Sequence, residues 1–241
     1  MNHESVIAEF VEKIRAAAGP NLVSAILYGS AAQGDFHADY SDVNLLCLLR
    51  DVSLPALNQI AGAVAWWRGK RHHPPLVMTP QELISSADVF SIEFSDMKRR
   101  HRVLFGEDLL HGLQVPMSFH RAQLEYELRE KLFLLRRHLL TAGKDEKQLW
   151  EVMLHSLSSF TTLFRHALIE MGDAGTKHSR EAVAELSKKF GFDDSAFLQL
   201  LDVRASKSAG SGLKASDLAA RYLEAITTVA TAVDAMPDPR A

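Results

Sequence analysis

The sequence predicts an α+β chain: a small mixed-sheet domain over residues 1–116, followed by an all-helical bundle over residues 117–241. Three observations carry this. Two short apolar runs, Leu22–Tyr28 and residues 45–49, are separated by Gly29-Ser30 and a polar loop, as paired strands are. After Val115-Pro116 the apolar residues recur at helical spacing, as in Leu124, Leu128, Leu132, Leu135 and Leu139. The composition, 47% hydrophobic and 24% charged in 241 residues, is that of an ordinary globular protein with enough chain for two small domains.

Taken in order, residues 4–18 read as a helix with Val6, Ile7, Phe10 and Ile14 along one stripe, stopped by Gly19-Pro20. The first strand follows and ends at Gly29-Ser30. Residues 30–33 then start a short helix whose positive end faces the turn as an anion site, closed by Gly34-Asp35. The second strand begins at Ser41 and runs through Asp42-Val43-Asn44 into the apolar residues 45–49. Strand side chains alternate, so Asp42 and Asn44 share one face and Val43 takes the other. A carboxylate and an amide thus stand side by side, near the backbone N–H groups of a Gly-Ser turn.

Residues 51–69 read as a helix carrying Leu57, Ile60, Ala61, Val64 and Trp67, and a basic loop over 68–73 ends at Pro74-Pro75. A short strand is expected over 76–79 and a short helix over 80–87, with Thr79 as its cap. Residues 89–95 are expected to form a further strand. Phe90, Ile92 and Phe94 would face the core there, and Ser91, Glu93 and Ser95 the opposite side.

The second half shows five helical patterns. After the stripe from Leu124 comes one through Leu149, Met153, Leu157, Phe160, Phe164 and Leu168. Others cover about residues 179–191 and 194–203. The last opens at Ser216 as N-cap and runs through Leu218, Tyr222, Ile226, Val229 and Val233. The tail from Pro237 is expected to be loose.

The overall balance excludes several classes of function. A formal charge of −3 gives no electrostatic basis for binding long nucleic acid. The single cysteine, Cys47, rules out an internal disulfide and fits a buried thiol in a reducing cytoplasm. No apolar run approaches the roughly 20 residues that span a bilayer, so no membrane partner is expected. The opening MNHESVIAEFVEK is charged early and amphipathic, unlike a secretory signal.

A hydrophobic strand ending in Gly-Ser, then eleven residues, then Asp-x-Asp leading a second apolar strand marks the DNA polymerase β-like nucleotidyltransferase superfamily. This chain resembles it as Gly29-Ser30, residues 31–41, then Asp42-Val43-Asn44. Two departures stand out. Asn44 replaces the second aspartate, and Ala31 stands where many members carry arginine. The helical second half resembles the aminoglycoside nucleotidyltransferases, in which such a domain closes over the acceptor.

The resemblance implies transfer of a nucleoside monophosphate, AMP above all, from a triphosphate such as ATP to a small-molecule or protein acceptor. Gly29 and Ser30 would receive the phosphates, with Gly29 leaving the room that a Cβ would fill. Asp42, Asn44 and Glu93 would hold Mg²⁺, and Asp42 and Glu93 would be the catalytic carboxylates, with Asp96 in reserve. The missing charge at Asn44 opens an alternative: a nucleotide-binding pseudoenzyme serving as a sensor, partner-binding or antitoxin-like module. Blander readings serve the remaining polar clusters. Residues 98–102 are a solvated basic face, His72-His73 an exposed loop, and Arg136, Arg137, Arg165 and His166 surface charges. The small polar stretch from Ser156 to Thr162 reads equally as close helix packing or as an acceptor pocket.

Overall fold

The computed structural model describes residues 3–32, 43–173, 178–206 and 210–237, with Ser30 described by its backbone alone. The chain divides into two compact units, Met1–Pro116 and Met117–Ala241. The architecture is α+β, a small mixed sheet with its helices in the first unit and helices alone in the second.

The first unit runs α1 (His3–Ala18), β1 (Leu22–Tyr28), β2 (Asn44–Leu49), α2 (Leu54–Gly69), β3 (Leu76–Met78), α3 (Pro80–Ser85), α4 (Ser91–Arg99) and β4 (His101–Gly106). The sheet order is β3-β2-β1-β4, with β1 antiparallel to β2 and β4, and β3 parallel to β2. Both faces of the two inner strands are covered, which is why they read as continuous apolar runs. On one face Leu27, Leu45, Cys47 and Leu49 pack with Phe10, Ile14 and Trp67 of α1 and α2. On the other, Ile26, Leu46 and Leu48 pack with Leu83, Phe94, Met97, Leu110 and Leu113. Each such leucine contributes about 1.5–3 kcal/mol on full burial. Burial pushes the Cys47 thiol up to about 12, so it behaves as a small core residue.

Local chemistry fixes the shorter pieces. Thr79 caps α3 through its hydroxyl, which accepts from the Glu82 N–H at 3.0 Å, while the Glu82 carboxylate accepts from the Thr79 N–H at 2.7 Å. Gly106 closes β4 at φ +77°, where a Cβ would lie 2.0 Å from the Val23 carbonyl oxygen; no other residue fits.

The strand expected over residues 89–95 is not there. Phe90 is 47% exposed and Ser91 is fully buried, the reverse of the expected alternation. Ser91, Phe94 and Met97 recur every third residue and turn inward together, so the segment is a turn running into α4. Glu93 sits in the first turn of that helix, and the strand that follows is β4. The short helix expected over residues 30–33 is a single 3₁₀ turn at Ser30–Ala32, too short to sum the peptide dipoles of a helix end. Residues 33–42, with Gly34, Asp35, Ser41 and Asp42, lie outside the described residues.

The second unit holds α5 (His120–Ala142), α6 (Glu146–Glu170), α7 (Ser179–Phe190), α8 (Ser195–Ala205) and α9 (Ala215–Asp234). Helix α6 is the hub, touching each of the other four. An aromatic chain runs through the core: Phe164 and Phe197, then Phe197 and Tyr222, have ring centres 4.7 Å apart, and Phe160 meets Tyr222 edge-on. Asp145 caps α6 by accepting from the Gln148 N–H at 3.1 Å. Ser216 is not the cap of α9. The Glu146 carboxylate instead accepts from the N–H groups of Ala215, at 2.6 Å, and Ser216, at 3.4 Å, so a neighbouring helix supplies the cap. Among the described residues, no helix is long and apolar enough to cross a membrane.

Candidate functional site

The candidate site lies at the end of β1 where the strand leaves the sheet. Tyr28, its last residue, stands opposite Asn44 on β2 and His101 on β4. Residues opposite one another in an antiparallel pair share a face. Tyr28 packs with Ile26, Leu46 and Leu48, and Asn44 takes the same side by alternation, because Val43 and Leu45 both join the opposite core. This is the face that α4 covers.

Gly29 then turns the chain at φ +79°, a conformation L side chains rarely adopt. Its N–H donates to the Arg100 carbonyl at 3.0 Å, and its own carbonyl accepts from the Ala32 N–H at 3.1 Å. A Cβ on Gly29 would meet the Asn44 amide nitrogen at 3.4 Å. That is ordinary contact, so conformation rather than crowding demands glycine here. The turn and the amide of Asn44 are therefore immediate neighbours.

Helix α4, packed on that face, carries Glu93 in its first turn. Burial, and then the nearby Glu93 carboxylate, hold the Tyr28 hydroxyl above its usual range. Glu93 is therefore within electrostatic reach of the Tyr28 hydroxyl. The structure thus sets Gly29 beside Asn44, leaves Glu93 within electrostatic reach of Tyr28, and adds Tyr28 itself, which sequence reasoning passed over as the last apolar residue of a strand. The signal was available: Tyr28 is the polar-tipped residue directly before Gly-Ser, on the face Asn44 shares. The Ser30 side chain and Asp42 lie outside what is described.

For Mg²⁺, the described donors here are one carboxylate, on Glu93, and one amide oxygen, on Asn44. Both are hard oxygen donors of the kind magnesium takes. Among the described residues, no group of three acidic, histidine or cysteine side chains is placed to hold a metal ion.

The basic run over residues 98–102 is dispersed rather than pooled. Lys98 Nζ donates to the Leu113 carbonyl at 2.7 Å, Arg99 faces Asp96 at 3.8 Å, and Arg102 pairs with Glu4 at 2.8 Å. His101 sets Nε2 against Asp108 at 3.0 Å and Nδ1 against the Met97 carbonyl at 3.1 Å. Desolvation works against the Asp108 carboxylate, but the hydrogen bond from His101 and backbone N–H donors outweigh it and hold the group below its usual range.

In the second unit, Arg165 and His166 are not surface charges, being 3% and 0% exposed. His166 belongs to a buried chain. Glu170 meets His120 Nδ1 at 2.5 Å, and His120 Nε2 meets His166 Nδ1 at 2.8 Å. The serines of α6 divide their roles. Ser156 shares a hydrogen bond with the Tyr222 hydroxyl at 3.0 Å, and Ser158 accepts from Arg204. Ser156 and Ser159 also border a groove of about 490 Å³ between α5 and α6, with Leu134, Leu135, His138 and His155.

No family model matches the chain, and no curated sequence does. Among solved structures, spectinomycin adenyltransferase AAD(9) from Enterococcus faecialis, crystallised with ATP and spectinomycin, superposes with a TM-score of 0.61. The match covers 97% of this chain and 100% of that one at 14% identity. The chain has the nucleotidyltransferase-like fold. A nucleotidyltransferase-like protein from Exiguobacterium sibiricum is 15% identical over 94% of this chain and 75% of its own, with a TM-score of 0.33, too low to argue from. Within this fold, the Gly29 turn and Asn44 occupy one end of the sheet.

Proposed function

We propose that the protein transfers adenylate from ATP to a hydroxyl of a small-molecule acceptor, in a magnesium-dependent reaction. The observation that carries the reading is the juxtaposition at the end of β1. A left-handed glycine turn and an amide at 3.4 Å from its Cβ position meet there, with the Glu93 carboxylate within electrostatic reach of Tyr28. The whole-length likeness to an adenyltransferase crystallised with ATP and spectinomycin supports ATP and an amino-sugar-like acceptor as the first substrates to try.

In this reading the Gly29-Ser30 turn takes the phosphate chain, since its backbone can approach oxygens without a Cβ between. The acceptor oxygen attacks the α-phosphorus, the bond to the bridging oxygen breaks, and pyrophosphate leaves. Glu93 takes the hydroxyl proton as the bond forms. Asp42, Asn44 and Glu93 are the residues that would hold magnesium, which when bound supplies charge neutralisation along the phosphates. A protein hydroxyl is the other acceptor this chemistry admits.

One observation favours a second reading. Asn44 puts an uncharged amide where the resemblance calls for a carboxylate, which fits a protein that binds the nucleotide without turning it over and signals through a partner. Calorimetric titration with a nonhydrolysable ATP analogue, with and without magnesium, followed by pyrophosphate release with spectinomycin-like acceptors, separates the two. Metal-dependent binding with release supports the transferase, and binding without release supports the second reading. No binding under either condition ends both.

A further inference from the structure

We propose that α5 is a self-association surface, pairing antiparallel with the α5 of a second copy of this chain. The core-facing residues of α5 are Leu124, Leu128, Leu132 and Leu135. On its opposite face Tyr126, Phe133 and Leu140 recur at seven-residue spacing and are 63%, 54% and 84% exposed. Seven residues are close to two turns, so the three side chains form one straight apolar seam on the outer side of the helix. Scattered exposed apolar residues need no explanation, but three large ones in register along one helix do.

The flank of the seam says what covers it. Glu130 and Arg137 lie on one side of it, again seven residues apart, and neither side chain has a partner among the described residues. In an antiparallel pair related by a two-fold axis, like flanks meet. With the axis between residues 133 and 134, Glu130 of one copy faces Arg137 of the other, twice. The same register brings Phe133 within one residue of its own counterpart and Tyr126 within one residue of Leu140, so the two apolar seams overlie one another. The other flank carries Arg129 and Arg136. Arg129 is held by Glu125 at 3.0 Å and by Asp234 at 2.7 Å, and Arg136 lies over the Phe133 ring at 6.0 Å. The Glu130–Arg137 flank therefore complements itself in the antiparallel register.

The seam from Tyr126 to Leu140 covers roughly 21 Å at 1.5 Å per residue. A helix pair of that length falls at or below the roughly 1,200 Å² lower bound of stable interfaces. The dimer is accordingly weak and concentration-dependent. Sedimentation velocity on the full chain from about 1 to about 300 μM should show the mass rising from 26.8 kDa towards twice that value. Phe133→Asp should hold the chain monomeric throughout, with an unchanged circular dichroism spectrum because the residue is exposed. Glu130→Arg should weaken association at least tenfold, and adding Arg137→Glu should restore it. A monomer at every concentration, association indifferent to Phe133→Asp, or failure of the paired charge reversal to restore it would each overturn the proposal.

Discussion

The N–H of Gly29 donates to the carbonyl of Arg100 at 3.0 Å, tying the turn after β1 to the corner between α4 and β4. One hydrogen bond thus links the turn to the segment that carries Glu93. Because Gly29 sits at φ +79°, Gly29→Ala should cost about 1–2 kcal/mol in left-handed strain. Urea denaturation measures this directly. Gly29→Val should cost more, since a branched side chain tolerates that region less. A loss below about 0.5 kcal/mol for the alanine variant would mean that the turn relaxes freely.

Tyr28 and Glu93 provide a probe of site geometry that does not depend on activity. Burial first, and Glu93 second, raise the Tyr28 hydroxyl above 10. A raised acid contributes stability that is whole below pH 10 and is lost as the pH climbs through the folded value. Glu93→Gln removes the second cause and leaves the first. Tyr28 should then ionise earlier, though still above 10, and the alkaline loss of stability should shrink. Phenolate absorbance, with a Tyr28→Phe protein subtracted, gives the titration. An unshifted curve would place Glu93 too far away to act at this end of the sheet.

The buried Glu170–His120–His166 chain ties the start of α5 to the end of α6. His120 supplies a nitrogen to each neighbour, at 2.5 Å and 2.8 Å. His120→Leu removes both contacts at once and should lower stability by about 2–4 kcal/mol, because buried polar groups lose their partners. His120→Gln, which keeps some hydrogen-bonding capacity, should cost less. Equal denaturation midpoints for the two variants would show that the leucine fills the space well enough to offset the lost bonds.

Legibility in the sequence followed the strength of the periodic signal. Leu22–Tyr28 is a strand with the same bounds in the sequence and in the structure, because a seven-residue apolar run between Gly-Pro-Asn and Gly-Ser leaves little choice. Long helices such as α6 were equally plain. Residues 89–95 misled because alternation over so short a window matches a helix with inward residues at 91, 94 and 97 equally well. The cap of α9 was misread for another reason. It comes from Glu146, sixty-nine residues before Ala215, and no local pattern encodes that distance. At the site, Gly29 and Asn44 were legible from spacing. The contribution of Tyr28 depends on a helix packing over its face, and strand alternation alone does not reveal it.

The last prediction concerns the residue where this chain departs from the resemblance. Asn44 stands opposite Tyr28 on the face that α4 covers, and its amide nitrogen is 3.4 Å from the Cβ position of Gly29. Asn44→Asp changes the charge by one unit with almost no change in shape. Without metal, the new carboxylate joins Glu93 near Tyr28, so the Tyr28 hydroxyl should rise further, a shift readable by the same phenolate titration. With magnesium and ATP present, an added anion should strengthen cation binding, since Asp42 and Glu93 alone leave most of the neutralisation to the phosphates. Magnesium-dependent pyrophosphate release should therefore increase in the variant, and the Tyr28 shift should diminish as the cation takes up the added charge. If release falls instead while the metal-free shift in Tyr28 appears as expected, the amide of Asn44 is itself a working ligand, and the charge-deficit argument fails although the geometry stands.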